Sequence, residues 1–129
     1  MPTRMNLVLR AAGVALLVGL ALSAGPSRAD DLTTEGDLAL WCAAIYVGFH
    51  NRGAFASAEQ DAAARSDLQR FDSVLAAEAV RLGWQQADVL DMSRSYGDEV
   101  APQIDDYLQR KDPAALRLSL ADCFPSVEL

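Results

Sequence analysis

The chain has a single histidine, His50, a single lysine, Lys111, and two cysteines, Cys42 and Cys123, in 129 residues. These scarcities remove much chemistry at the outset. A zinc site needs clustered Cys and His ligands, which one histidine and two distant cysteines do not provide. Haem of the c type needs Cys-x-x-Cys-His, and a di-iron bundle needs Glu-x-x-His pairs; the sequence has neither. No Asp-rich twelve-residue loop with its glycine and terminal Glu is present for calcium. Nucleophilic catalysis needs a His or Lys base beside Ser or Cys, and His50 reads as a helix-end or surface residue. Cys42 lacks a Cys-x-x-Cys partner for redox work. Asp98-Glu99 and Asp105-Asp106 read as solvated acidic surface rather than an ion site. We therefore expect no cofactor, no metal and no enzymatic activity.

Strand signals are missing as well. Beyond the first 29 residues there is no hairpin dipeptide and no alternating apolar run. No repeat, low-complexity tract or second-domain linker interrupts the chain.

What is present begins with a leader. Met1 to Ala29 has a positive start (Arg4, Arg10), an uncharged apolar run from Ala11 to Ala24, and Ser27-Arg28-Ala29 as a small-residue cleavage site. The apolar run is too short for an ordinary transmembrane helix. Residues 1–29 thus read as a cleaved signal peptide and 30–129 as a single helical domain. Cleavage leaves 8 of the 11 basic residues against all 18 acids, so the formal charge moves from −7 to −10. Such a balance speaks against nucleic acid and against anionic membrane surfaces. Ten of the eleven basic residues are Arg, and Ala is abundant. That bias suits a high-GC bacterial genome, and the leader then places the protein in a periplasm.

Two cysteines in an exported chain this small favour a disulfide over two buried thiols or an intermolecular bridge. Cys42 and Cys123 lie 81 residues apart. In the chain-entropy account a link of that span is worth at most about 4.5 kcal/mol, comparable to the stability of a whole small domain.

The stretch from Asp37 to His50 organises the rest. Leu38, Trp41, Cys42, Ile45, Tyr46 and Phe49 follow a helical repeat, with Leu40 and Val47 widening the stripe. Thr34 is the expected N-cap and Thr33 the alternative; Asn51-Arg52-Gly53 is the stop. Gly48 is its weak point as a helix. Ser57 caps a second, long helix to about Leu82, with Ala64, Leu68, Phe71, Leu75 and Leu82 inward and Glu78 on the wet side. Gly83 ends it. A third helix covers Gln86 to about Val100 through Val89, Met92, Tyr96 and Val100. Pro102 should kink or end it and open a short fourth segment to Gln109. Asp112-Pro113 starts a last helix, Ala114 to about Cys123, and Ser126 to Leu129 is a loose tail. The fold class is all-α: a small bundle of four to five helices, first and last linked by Cys42–Cys123.

Function rests on binding. Seven of the nine aromatics, Trp41, Tyr46, Phe49, Phe55, Trp84, Tyr96 and Tyr107, exceed as a set what a bundle of this size must bury. We single out His50, Trp84, Tyr96 and Tyr107 as the candidate partner or ligand surface; Trp84 reads either as a boundary residue or as an exposed binding aromatic. The leading expectation is a non-enzymatic protein that binds another periplasmic or envelope protein. Trp41 beside Cys42, and the two-cysteine plan of a small exported helical chain, resemble the HdeA-type acid-stress chaperones, although the cysteine spacing is much longer here. That resemblance implies a stress-chaperone alternative. A small-ligand carrier is the third.

Overall fold

A computed structural model describes residues Asp31–Leu129; the leader lies outside the described residues. The described chain is helical and contains no strand. Its elements are α1 (Thr34–Asn51), α2 (Ala58–Leu68), a 3-10 turn (Gln69–Phe71), α3 (Asp72–Leu82), α4 (Gln86–Arg110), a second 3-10 turn (Pro113–Ala115) and α5 (Leu120–Cys123). No helix among the described residues is long and apolar enough to cross a membrane.

α1 is the central element. Thr33, the alternative cap, starts it by accepting from the Gly36 N–H at 3.0 Å. Trp41, Cys42, Ile45 and Phe49 are fully buried, with Leu40 and Ala39 beside them, while Leu38 and Tyr46 stay partly exposed. Gly53 ends the helix with a positive φ of 62°, the backbone state that glycine takes without a Cβ penalty. Cys42 is bonded to Cys123, so the first and last helices are stapled as the sequence predicts.

Two glycines of α1 mark where neighbours press close. A Cβ on Gly36 would lie 2.8 Å from the Glu78 carboxylate of α3, and one on Gly48 would collide with Ile104 of α4. Gly48 is thus no simple defect: the contact with Ile104 requires it.

The long second helix of the sequence reading is two helices. The chain breaks into a 3-10 turn at Gln69–Phe71. Phe71 turns inward there, and Arg70 lies 4.2 Å over its ring while donating to the Asp122 and Cys123 carbonyls of α5. These carbonyls are among those a short helix leaves unsatisfied. Glu78, expected on the wet side, is buried and accepts from the Thr33 N–H at 3.0 Å and from Arg81 at 2.8 Å. Charge is buried here because it is paired.

Pro102 does not stop α4, which is continuous from Gln86 to Arg110. The ring is exposed, so the Asp98 carbonyl it leaves without an amide partner is on the wet side. Met92, Tyr96, Val100 and Ile104 form one buried stripe across the proline, and packing on α1 holds both halves in line. The predicted last helix is instead a 3-10 turn, an extended piece and one turn of α5. Asp112 caps as expected, accepting from the Ala114 N–H at 3.0 Å. The helix fails to propagate because the Arg117 N–H is taken by the Gln103 side chain at 2.9 Å and Leu116 is drawn into the core. The tail is also tied: Ser126 bonds Asp67, and the Glu128 carbonyl accepts from Gln60 at 2.9 Å.

Candidate functional site

The four residues picked from the sequence occupy four different settings. Tyr96 is 2% exposed, its ring in the core and its hydroxyl donating to Asp37 at 2.6 Å. Tyr107 is partly buried and stacks on Phe49 with ring centres 6.0 Å apart, between two depressions of about 620 and 210 Å³. Trp84 is partly buried against the core at the α3–α4 junction. Its indole N–H has no hydrogen-bond partner among the described residues. His50 has a half-exposed side chain near the end of α1.

His50 belongs to a polar cluster that joins α1 to α2. Its Nδ1 lies 2.6 Å from Asp61 Oδ2, and its ring stacks on Tyr46. Tyr46 donates to Asp61 Oδ1 at 2.5 Å and accepts from Arg65 Nε at 3.0 Å. The Tyr46 hydroxyl, then His50, hold the Asp61 carboxyl below its ordinary value. Desolvation, then the hydrogen bond to Asp61, push the Tyr46 phenol up. The four side chains satisfy one another, and the arrangement is a tie between helices.

A second cluster fastens the extended segment before α5. Arg117 donates to both oxygens of Asp37 at 2.9 Å, and its Nε to Glu99 at 2.5 Å. Arg117 holds Asp37 below the ordinary carboxylate range. Burial, then the bond to Asp37, raise Tyr96. An open depression of about 520 Å³ lies over Asp37, Tyr96, Glu99 and Arg117.

The acidic pairs expected to be solvated are largely engaged by arginine. Glu99 bonds Arg117, Asp105 bonds Arg52 and Asp106 bonds Arg110. No group of three or more His, Cys, Asp or Glu that could hold a metal ion occurs among the described residues.

The feature best shaped to receive something lies elsewhere. α1 and α4 leave between them an apolar groove of about 460 Å³. Buried Leu40, Val100 and Ile104 lie beneath it. Its sides are short: Ala43, Ala44 and Gly48 from α1, and Ser93, Gly97 and Ala101 from α4. Val47 stands 53% exposed beside it. The charged residues lining it are Arg52 and Arg94, with no carboxylate among them. Gly97 sits inside a long helix, yet a Cβ there would meet nothing within 4 Å. Nothing among the described residues requires glycine at that position.

The residues lining this groove include no aromatic, the residue type that marks a binding surface most visibly in a sequence. The signal was present as small residues at fourfold spacing, Ala44 with Gly48, and Ser93 with Gly97 and Ala101. No family model, no curated protein and no solved structure matches the chain.

Proposed function

We propose that this is an exported, non-enzymatic binding protein of the bacterial periplasm, carried there by the leader Met1–Ala29, and that the α1–α4 groove is where another envelope protein docks. One observation carries the reading. Gly97 costs α4 about 1 kcal/mol against Ala, and no packing among the described residues uses the space it leaves. Glycine at such a place suits close approach by another molecule. The buried cystine suits an oxidising compartment.

The test is capture from an envelope extract with a crosslinker placed at Ser93, run beside Gly97→Leu. Loss of the crosslinked partner in Gly97→Leu is expected. Capture that ignores the substitution removes the groove from the function.

A second reading is an acid-stress chaperone. It is favoured by the placing of Asp37 and Glu78, which tie together elements far apart in sequence, and of Asp61, which ties α1 to α2; each of the three is held below its ordinary value. Acid would release these ties while the disulfide stays closed. Suppression of client aggregation at pH 2–3 but not at pH 7, assayed with purified protein, separates this reading from the first.

A further inference from the structure

We infer that the docking partner presents an amphipathic helix whose apolar stripe is flanked at both ends by carboxylates. The inference rests on the reading of the α1–α4 groove as the binding surface, and it names what fits there.

The length comes first. Arg52 reaches Asp105, eleven residues along α4 from Arg94. At 1.5 Å per residue that separates the two ends of the groove by about 16 Å, or three turns of helix. An α-helix satisfies its own backbone, so it can lie against an apolar lining that offers few hydrogen bonds. The lining here is carbon apart from Ser93, Asn51 and the two arginines.

The shape comes next. The sides are short and the open point is Gly97. A branched apolar residue, Leu or Ile, fills that point, and its neighbours a turn away rest on Ala44 and Ala101. Val47 is the knob the chain itself offers.

Charge selects the occupant. In a protein with 18 acids and 11 basic residues, the charged side chains that line the groove are two arginines, each ion-paired to one exposed Asp outside the lining. Arg94 is largely exposed and spends one N–H on Asp91 at 3.1 Å. Arg52 spends its donors on Asp105 at 2.8 Å and the Gly48 carbonyl at 3.0 Å. A guanidinium has five N–H donors, so both retain some for a visiting carboxylate. A second copy of this chain fits less well. It would bring its own groove arginines against these, on a body of the same net negative charge.

The experiment titrates the oxidised protein with two synthetic helical peptides of about 18 residues, alike in a Leu and Ala stripe, one with Glu at both ends and one with Lys. Amide shifts are followed by NMR at Gly97, Ala101 and Ala44, and self-association by sedimentation. The Glu-ended peptide is expected to shift those amides. Its affinity for the unsubstituted protein should fall as salt is raised, and at low salt it should fall about fivefold in Arg94→Glu. Gly97→Leu, whose Cβ enters open space and leaves the bundle folded, should abolish the shifts. Equal or tighter binding of the Lys-ended peptide overturns the carboxylate assignment, while the groove reading stands. Binding of neither peptide overturns the helical occupant, and the envelope capture then judges the groove by itself. A dimer that Gly97→Leu dissolves makes the occupant a second copy and overturns the inference.

Discussion

Arg117 grips the carboxylate of Asp37 with both terminal nitrogens, each bond 2.9 Å long, across 80 residues of sequence. Asp37 lies in the first turn of α1, and Arg117 lies in the extended piece that leads to α5. The pair therefore fixes the two ends of the fold beside each other, next to the disulfide but independently of it. Arg117→Ala should lower stability by about 1–2 kcal/mol, since the site is partly open to water. Arg117→Lys should recover only part, because a point charge cannot make the paired contact. Urea unfolding of the oxidised variants measures both.

Acid acts on several such ties together. Asp37, Asp61, Glu78 and Asp106 are all held below their ordinary values of 3.8 for Asp and 4.5 for Glu, in each case chiefly by a side-chain hydrogen bond. A carboxyl that is depressed in the folded state contributes stability in full above its unfolded value and loses it as pH falls through the folded one. Stability should accordingly be flat from about pH 7 to 5 and fall steadily below about pH 4. Urea midpoints at these pH values test it, and a midpoint that rises on acidification would contradict the assigned ties.

The alkaline side has the opposite sign. Tyr46 and Tyr96 are both raised above the ordinary phenol value of 10.0, first by burial and then by the carboxylates they donate to. A raised phenol contributes stability below its unfolded value and loses it as pH climbs through the folded one. The phenolate absorbance of Tyr46 and Tyr96 should therefore appear above pH 10, with Tyr96, the more strongly raised, as the last stage. Tyr96→Phe should remove the last stage.

Two glycines one helix apart should respond oppositely to alanine. Gly97→Ala gains helix propensity at no steric cost and should raise stability by about 1 kcal/mol. Gly48→Ala drives a methyl into Ile104 and should cost about 1–3 kcal/mol through overpacking. Paired thermal melts decide it.

Removing the cystine by Cys42→Ser with Cys123→Ser should cost about 3 kcal/mol, less than the chain-entropy ceiling because native packing relaxes. Both sulfurs are fully buried, so the native bridge should also resist thiol reagents until the bundle unfolds.

Local patterns carried the reading of the fold as far as burial followed periodicity. The stripe through Trp41, Cys42, Ile45 and Phe49 named the central helix, and the count of two cysteines named the staple. Reading failed where a distant partner overrode the local pattern. Leu116, Leu120 and Cys123 have helical spacing, but Gln103 takes the Arg117 amide and the chain extends. Pro102 is a stop by local rule, but the buried faces on either side lie on one stripe. Glu78 looked wet because Thr33, 45 residues away in sequence, meets it only in space; Arg81, three residues on, reads with it as an ordinary surface pair. The candidate site was the least legible part. Aromatic residues draw attention as binding groups, and here Tyr96, Tyr107 and Trp84 are largely taken up by the core. The groove is made of alanine, serine and glycine, whose meaning depends on which helices face each other.

The bond between Cys42 and Cys123 also sets how the protein bears mechanical load. Force applied to the two termini passes from one sulfur to the other and bypasses everything between. Only the segment ahead of Cys42 and the few residues after Cys123 can be drawn out. α2, α3, α4 and every groove residue except Leu40 lie inside a closed covalent ring, shielded from tension. A partner seated between α1 and α4 would hold its place while the chain ends were pulled, as long as the ring stayed oxidised.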